Sequence, residues 1–117
     1  MRQEESKLQI SCVIWFRYQY PEYRLNLFSV PNGGLRRIQT AIIMQKEGAI
    51  SGVSDLILAV PNKDYSALFI EMKIKPNKQS QNQKKFQQAV ERFQCYKYII
   101  CYDFEQFKNE ITQYLKS

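Results

Sequence analysis

Apolar positions along this chain follow two spacings, and each spacing predicts a different kind of element. Spacings of three and four residues are typical of helices that pack on one face, and they occur over residues 4–19, 35–46, 80–94 and 103–114. Short runs rich in apolar and β-branched side chains predict strands over residues 25–30, 55–60, 67–73 and 96–101. The predicted order, αβαββαβα, is typical of one three-layer α/β domain spanning residues 1–117, with a central mixed β-sheet flanked by helices.

Proline, glycine and capping residues mark the ends of several predicted elements. Pro21 ends the first helix, Pro-Asn-Gly-Gly at residues 31–34 predicts a turn, and Gly48 follows the second helix. The third and fourth helices each begin with a capping-box pattern: Ser80 with Gln83, and Asp103 with Gln106.

The third predicted strand carries two charged side chains on a face that is otherwise apolar. A period of two places Glu71 and Lys73 on one face, while the other face holds Leu68, Ile70 and Met72. Burying an unpartnered carboxylate is costly enough that such a group normally pairs, shifts its pKa or binds a metal. Asp55, at the start of the preceding strand, supplies a second carboxylate. The alternatives are a surface ion pair at the strand end and a turn cap at Asp55.

A metal shared by the two carboxylates requires a particular register between the two strands. A straight hairpin would pair Val60 with Ala67, and therefore Asp55 with Met72, which sends the carboxylates to opposite faces. We therefore predict a shifted register or a bulge that places Asp55 opposite Glu71 or Lys73.

Amino-acid composition limits the kinds of catalytic and metal-binding site that this chain can contain. The 117 residues include no histidine, which excludes Ser-His-Asp and Cys-His catalysis and leaves carboxylates, lysine and a hard cation for hydrolysis. Three widely spaced cysteines, Cys12, Cys95 and Cys101, predict buried thiols rather than disulfides or a zinc site. No apolar run reaches the ~18–20 residues that span a bilayer, and no signal peptide is evident, so we expect a soluble, intracellular protein without membrane contact.

Positive charge is concentrated in one segment of the chain. The net charge is +6, and residues 71–97 contain seven basic side chains against two acidic ones, a net +5. Such a stretch beside a carboxylate strand suits a polyanion, because lysine and arginine neutralise phosphates; the alternative is a solvated basic face without a ligand. Arg36 and Arg37 fall in the first turn of the second predicted helix, where backbone amides favour an anion.

Several of these residues stand in an order that resembles a known family. The pattern is Glu5-x-x-x-Gln9, Pro31-Asn32-Gly33-Gly34, Gly48, Gly52-x-x-Asp55, Glu71-x-Lys73 and Ser80-x-x-Gln83. It resembles the VRR-NUC (virus-type replication-repair nuclease) family of the PD-(D/E)xK nuclease superfamily, with Ser54 in place of the pattern's proline. The resemblance implies a restriction-endonuclease-like fold and a nuclease that depends on Mg²⁺ or Mn²⁺.

The resemblance also implies a role for each site residue. Asp55 and Glu71 would hold the metal with the backbone carbonyl of Met72, and Glu5 would complete or orient the ligand shell. Lys73 would position or deprotonate the attacking water, and Gln83 would reach the same site from its helix. We expect the capping and site roles of Gln83 to exclude each other. Glu5 has an alternative as a first-turn acid favoured by the helix dipole, with Glu4 as its competitor.

The leading hypothesis is a metal-dependent endonuclease that cuts structured DNA, similar to a Holliday-junction resolvase and acting as a homodimer in the cytoplasm of a bacterium or phage-infected cell. The candidate DNA-contacting residues are Asn32, Arg36, Arg37, Lys75, Lys78, Lys84 and Lys85. One alternative is a non-catalytic nucleic-acid-binding module on a nuclease fold. Another is an interaction domain with no nucleic-acid partner.

Overall fold

Four helices, one 3₁₀ helix and four strands make up the part of the chain that the computed structural model describes, residues 2–31 and 38–117. In chain order they are α1 (Arg2–Gln19), the 3₁₀ helix (Pro21–Asn26), β1 (Leu27–Ser29), α2 (Ile38–Lys46), β2 (Leu56–Leu58), β3 (Ala67–Met72), α3 (Gln81–Glu91), β4 (Tyr96–Cys101) and α4 (Phe104–Lys116). The predicted turn after Pro31 and the start of the second predicted helix lie outside the described residues. Within the described ranges, no helix combines the length and apolar character needed to cross a membrane.

The strands form one sheet in the order β1-β2-β3-β4. The pairs β1–β2 and β2–β3 are antiparallel, whereas β3 and β4 run parallel. The sheet is therefore mixed, as predicted.

The register between β2 and β3 is shifted by one residue from a straight hairpin. Leu56 pairs with Ile70, and continuing this register beyond the ladder places Asp55 opposite Glu71, as predicted. Asn62 provides a physical reason, because its side-chain oxygen accepts hydrogen bonds from the backbone N–H groups of Asp64 (2.9 Å) and Tyr65 (2.7 Å). The connection thus folds into a turn of its own instead of a symmetric hairpin loop.

One face of the sheet packs against α1 and α4 and forms the main core. Buried residues from the strands include Leu56, Leu58, Leu68, Ile70, Met72, Ile99 and Cys101, and those from the helices are Cys12, Phe16, Phe107, Ile111 and Tyr114. Trp15 lies edge-on to Phe107 at the rim of this core, with ring centroids 6.1 Å apart. All three cysteines are free; Cys12 and Cys101 are buried and Cys95 is half-buried.

The opposite face of the sheet packs against α3. The ring of Phe69 on β3 contacts Phe86 on α3, with centroids 5.9 Å apart, and Tyr96 on β4, with centroids 5.6 Å apart. Helices therefore flank both faces. Glu71 and Lys73 share the parity of Phe69, so they belong to the face that α3 covers.

The first predicted strand is shorter than expected. Residues 21–26 form the 3₁₀ helix, and only Leu27–Ser29 are extended. Pro21 lies at the start of this helix, where its fixed φ suits a helical turn, and Leu25 is 89% exposed, so its apolar side chain does not contribute to a sheet face. Pairing with the end of β2 begins at Asn26, whose carbonyl accepts from the Ala59 N–H at 2.7 Å.

The predicted capping box at α4 forms only in part. The Asp103 carboxylate accepts from the Gln106 N–H at 2.7 Å, as an N-cap should. The Gln106 side chain instead accepts from the Tyr102 N–H and donates to the Ile100 carbonyl, both at 2.8 Å. It thereby ties the helix start to the end of β4.

Gly52 allows the loop before β2 to lie directly on the first turn of α3. Its φ is +92°, and a Cβ built there would lie 2.5 Å from the carbonyl carbon and oxygen of Asn82. The side-chain amide of Asn82 donates to the Ser51 hydroxyl at 3.1 Å. This contact sets the position of the loop that leads to Asp55.

Gly52→Ala should therefore lower the free energy of unfolding by about 2–5 kcal/mol, since it adds both left-handed strain and a backbone clash. Gly48→Ala is the matched control, because Gly48 has a φ of +111° but a Cβ added there would meet nothing within 4 Å, and it should cost about 1–2 kcal/mol. Urea denaturation of both variants tests this. Equal losses would show that the close approach to Asn82 has no energetic consequence.

Candidate active site

Glu71 is the buried centre of the candidate site. Its side chain, at the end of β3, is 1% exposed. Gln83 Nε2 donates to Glu71 Oε2 at 2.7 Å, and the Tyr98 hydroxyl donates to Oε1 at 3.4 Å. Lys73 Nζ lies 3.9 Å from Oε2. An ammonium group just beyond β3 and hydrogen-bond donors from β4 and α3 thus converge on one carboxylate.

Asp55 approaches from the neighbouring strand. Its Oδ2 accepts a 2.7 Å hydrogen bond from the backbone N–H of Met72, the residue that follows Glu71. Its own carbonyl accepts from the Val30 N–H at 3.0 Å, which attaches the loop to the end of β1. The shifted register and this bond bring the second carboxylate to the same strand end as Glu71. Met72 itself turns its side chain into the core, so only its backbone belongs to the site.

Lys73 lies just beyond β3 and remains tied to the sheet. Its backbone N–H donates to the Cys101 carbonyl at 2.9 Å, which extends the pairing of β3 with β4 by one step. The side chain is only 11% exposed. An ammonium group is therefore held next to the carboxylate pair rather than free in solvent.

Gln83 performs its capping and site roles simultaneously, so the expectation that they exclude each other is wrong. Its Oε1 accepts from the Ser80 N–H at 2.8 Å, and the Ser80 hydroxyl accepts from the Gln83 N–H at 3.2 Å. The amide NH₂ remains available and donates to Glu71. The two ends of one amide therefore connect the start of α3 to the buried carboxylate.

Comparison with known proteins identifies the family. Residues 3–102 match the family model of the VRR-NUC domain. The chain belongs to the VRR-NUC family. A solved structure described as a VRR_NUC domain protein superposes on this VRR-NUC domain with a TM-score of 0.82 and 20% sequence identity, covering 96% of this chain and 88% of that one. A comparison with curated proteins found no match.

The electrostatics of the VRR-NUC site favour a cation. The pKa of Glu71 is raised to about 8, chiefly by burial and then by the charge of Asp55, while Lys73 and the Tyr98 hydrogen bond act in the opposite direction. The charge of Glu5 on α1 also contributes to this increase, as the smallest of the five causes. The charge of Glu5 therefore acts on Glu71, and its role as a ligand or orienting residue stays a prediction.

The donor set fits a hard divalent ion, which nucleases of this family generally use. Two carboxylates on adjacent strands repel each other, and a cation between them would relieve that repulsion. The described residues contain no group of three or more Asp, Glu, Cys or His side chains arranged to hold a metal. A pair of carboxylates is nonetheless enough for Mg²⁺, which commonly keeps several waters and takes substrate phosphate oxygens as ligands.

Four of the candidate DNA-contacting residues of the VRR-NUC domain are exposed lysines. They are Lys75, Lys78, Lys84 and Lys85. Lys75 Nζ lies over the ring of Tyr102, 5.3 Å from its centroid. Asn32, Arg36 and Arg37 fall outside the described residues, so their predicted contacts remain predictions.

Tyr98 and Gln79 are site residues that the sequence pattern did not indicate. Gln79 Nε2 lies 3.4 Å from the Tyr98 hydroxyl, which in turn contacts Glu71. Tyr98 is buried on β4, where it pairs with Phe69 in the parallel register. In a sequence, an aromatic residue in a short strand ordinarily predicts a ring packed in the core. The contact of Tyr98 with Glu71 depends instead on the pairing of β3 with β4, which are distant in sequence.

Without metal, the stability of the protein should fall as pH rises from about 5 to 8. The folded state raises the pKa of Glu71, so it binds a proton in this range that the unfolded chain has already released. Each pKa unit corresponds to about 1.4 kcal/mol. Glu71→Gln should flatten this dependence, measured by urea denaturation across the range in EDTA.

The range from about pH 5 to 8 suits this measurement because the chain contains no histidine that would titrate within it. Glu110→Gln provides a control, because it neutralises a carboxylate on α4 that is not among the groups acting on the pKa of Glu71. If wild type and Glu71→Gln showed the same pH dependence, Glu71 would not be a strained buried acid.

Proposed function

We propose that this chain is a Mg²⁺- or Mn²⁺-dependent endonuclease that hydrolyses phosphodiester bonds in structured DNA. The observation that carries the proposal is the convergence of Asp55, Glu71 and Lys73 at one end of the β2–β3 pair, with Nζ of Lys73 3.9 Å from Glu71. Membership of the VRR-NUC family supports a nuclease in general. The buried charges supply the chemistry that such a reaction needs.

Each site residue has a distinct task in this proposal. Asp55 and Glu71 hold the ion together with the Met72 carbonyl, and Glu5 completes or orients the ligand shell. An ion held there would supply Lewis acidity for the phosphoryl group and for the attacking water. Lys73 either takes a proton from the attacking water or, as an ammonium, stabilises charge on the phosphate. Gln83 fixes Glu71 Oε2 from α3.

The lysines that follow β3 supply the electrostatic contact with DNA. Lys75 and Lys78 lie between β3 and α3, and Lys84 and Lys85 lie within α3. All four follow Glu71 in the chain, so the segment that contributes the buried carboxylate also carries exposed positive charge for phosphates. Binding through such contacts weakens as salt concentration rises.

The resemblance extends the proposal to branched DNA, a homodimer and the cytoplasm of a bacterium or phage-infected cell. A symmetric four-way junction offers two equivalent strands, which two active sites related by a twofold axis can cut together. One feature of the chain supports self-association: α1 exposes Ile10, Ile14 and Tyr18, spaced four residues apart on one side of the helix. Scattered exposure of single apolar residues would be ordinary, but this is a continuous ridge.

Wild-type protein should cut labelled four-way junctions in Mg²⁺ or Mn²⁺ and leave them uncut in EDTA. Lys73→Ala should reduce the cleavage rate by roughly 10²–10⁴-fold while leaving junction binding intact. Lys116→Ala, which removes an exposed lysine at the end of α4, is the control and should cleave like wild type. Flap and linear duplex DNA are tested alongside the junction.

The outcomes separate the alternatives. Symmetric paired cuts confined to the junction would establish a resolvase-like activity. Cuts in flap or duplex DNA would instead show that the substrate is not specifically a four-way junction. Salt-dependent binding without cleavage in either metal would contradict the proposal in favour of a non-catalytic binding module. Absence of DNA binding would indicate an interaction domain with another partner.

A further inference from the structure

A chain of side-chain hydrogen bonds leads from the surface of α3 to the buried carboxylate. Gln87 Nε2 donates to Glu91 Oε2 at 3.3 Å, and Gln79 Nε2 donates to Gln87 Oε1 at 2.9 Å. Gln79 Nε2 also donates to the Tyr98 hydroxyl at 3.4 Å, and Tyr98 donates to Glu71 Oε1 at 3.4 Å. We call these five residues the amide relay.

The amide relay has a direction that follows from donor and acceptor chemistry. An ionised carboxylate only accepts, so Gln87 must turn its NH₂ group towards Glu91 and its oxygen towards Gln79. Gln79 must then present its NH₂ group, whose two hydrogens serve Gln87 and Tyr98. With its oxygen accepting from Gln79, the Tyr98 hydroxyl directs its single hydrogen to Glu71.

Glu71 is consequently held from both sides. Tyr98 binds Oε1 and Gln83 binds Oε2, so the two donors fix the rotation of the carboxylate plane. Each carboxylate oxygen has a second lone pair, which these bonds leave for a ligand. Outer hydrogen bonds of this kind orient metal ligands and commonly change metal affinity by about 10–100-fold.

We propose that Tyr98 is a positioning residue: its hydroxyl, oriented by Gln79, holds the Glu71 carboxylate in the orientation that binds the divalent cation. The inference rests on the proposed role of Glu71 as a cation ligand. It assigns a task to Tyr98 and Gln79, which have no role in the proposed chemistry itself. Tyr98 touches the ligand and not the substrate, so its loss acts through Glu71.

Tyr98→Phe removes only the hydroxyl and keeps the ring that packs against Phe86, whose centroid is 6.3 Å away. Isothermal titration calorimetry with Mn²⁺ and no DNA should show affinity reduced by about 10-fold or more. Tyr96→Phe is the matched control, because Tyr96 lies on the same face of β4 with its ring against Phe69, and its Mn²⁺ affinity should equal that of wild type. Gln79→Leu should weaken binding in the same direction, since the Tyr98 hydrogen is then free to turn away.

Kinetics distinguish positioning from a structural role. In Tyr98→Phe, the Mn²⁺ concentration for half-maximal cleavage should rise, the KM for DNA should stay at the wild-type value, and saturating Mn²⁺ should restore the rate. Unchanged Mn²⁺ affinity would overturn the inference. A loss of affinity accompanied by a lower melting temperature in EDTA would also overturn it, because the hydroxyl would then support the fold.

The same titration separates this inference from the proposed function. If wild type binds Mn²⁺ but cuts no DNA, the proposed function falls while the comparison of Tyr98→Phe with Tyr96→Phe still decides the role of Tyr98. If wild type binds no Mn²⁺, both are overturned.

Discussion

The burial of the Glu71 carboxylate is the constraint on which the rest of the site depends. A charge that is 1% exposed, next to a second carboxylate, would be strongly destabilising without partners. Its surroundings supply a near ammonium, a tyrosine hydroxyl and a glutamine amide. These groups stabilise the charge only in part, since the pKa of Glu71 is still raised to about 8. The remaining strain is what a divalent cation would relieve.

The fold brings these partners together from distant parts of the chain. The one-residue shift between β2 and β3 places Asp55 opposite Glu71, and the parallel pairing of β3 with β4 brings Tyr98 to the same face. Gly52 lets the Asp55 loop touch the first turn of α3, from which Gln83 reaches Glu71. The site is therefore built on strand ends and a capped helix, elements that can hold charged groups in fixed positions.

The predictable features of this molecule are those with a local cause. The alternation of side chains along a strand correctly predicted that Glu71 and Lys73 share one face. The condition that both carboxylates lie on that face correctly predicted the shifted register. Spacing of three and four residues correctly predicted that α1 and α4 are helices. The 3₁₀ helix at Pro21 was missed because apolar residues around Leu25 resemble a strand, although the proline favours a helical turn.

Other features depend on contacts that a linear pattern does not contain. The expectation that the two roles of Gln83 exclude each other was wrong, because its amide presents an acceptor and a donor to different partners. The contact of Tyr98 with Glu71 could be predicted only if the parallel register of β3 and β4 were known.

The central claim is that Asp55 and Glu71 share one divalent cation. Its most direct test is a crystal structure of the wild-type protein grown with Mn²⁺, using anomalous diffraction to locate the ion. The account predicts an anomalous peak bonded to both carboxylates, and a peak bonded elsewhere, or none at saturating Mn²⁺, would contradict it.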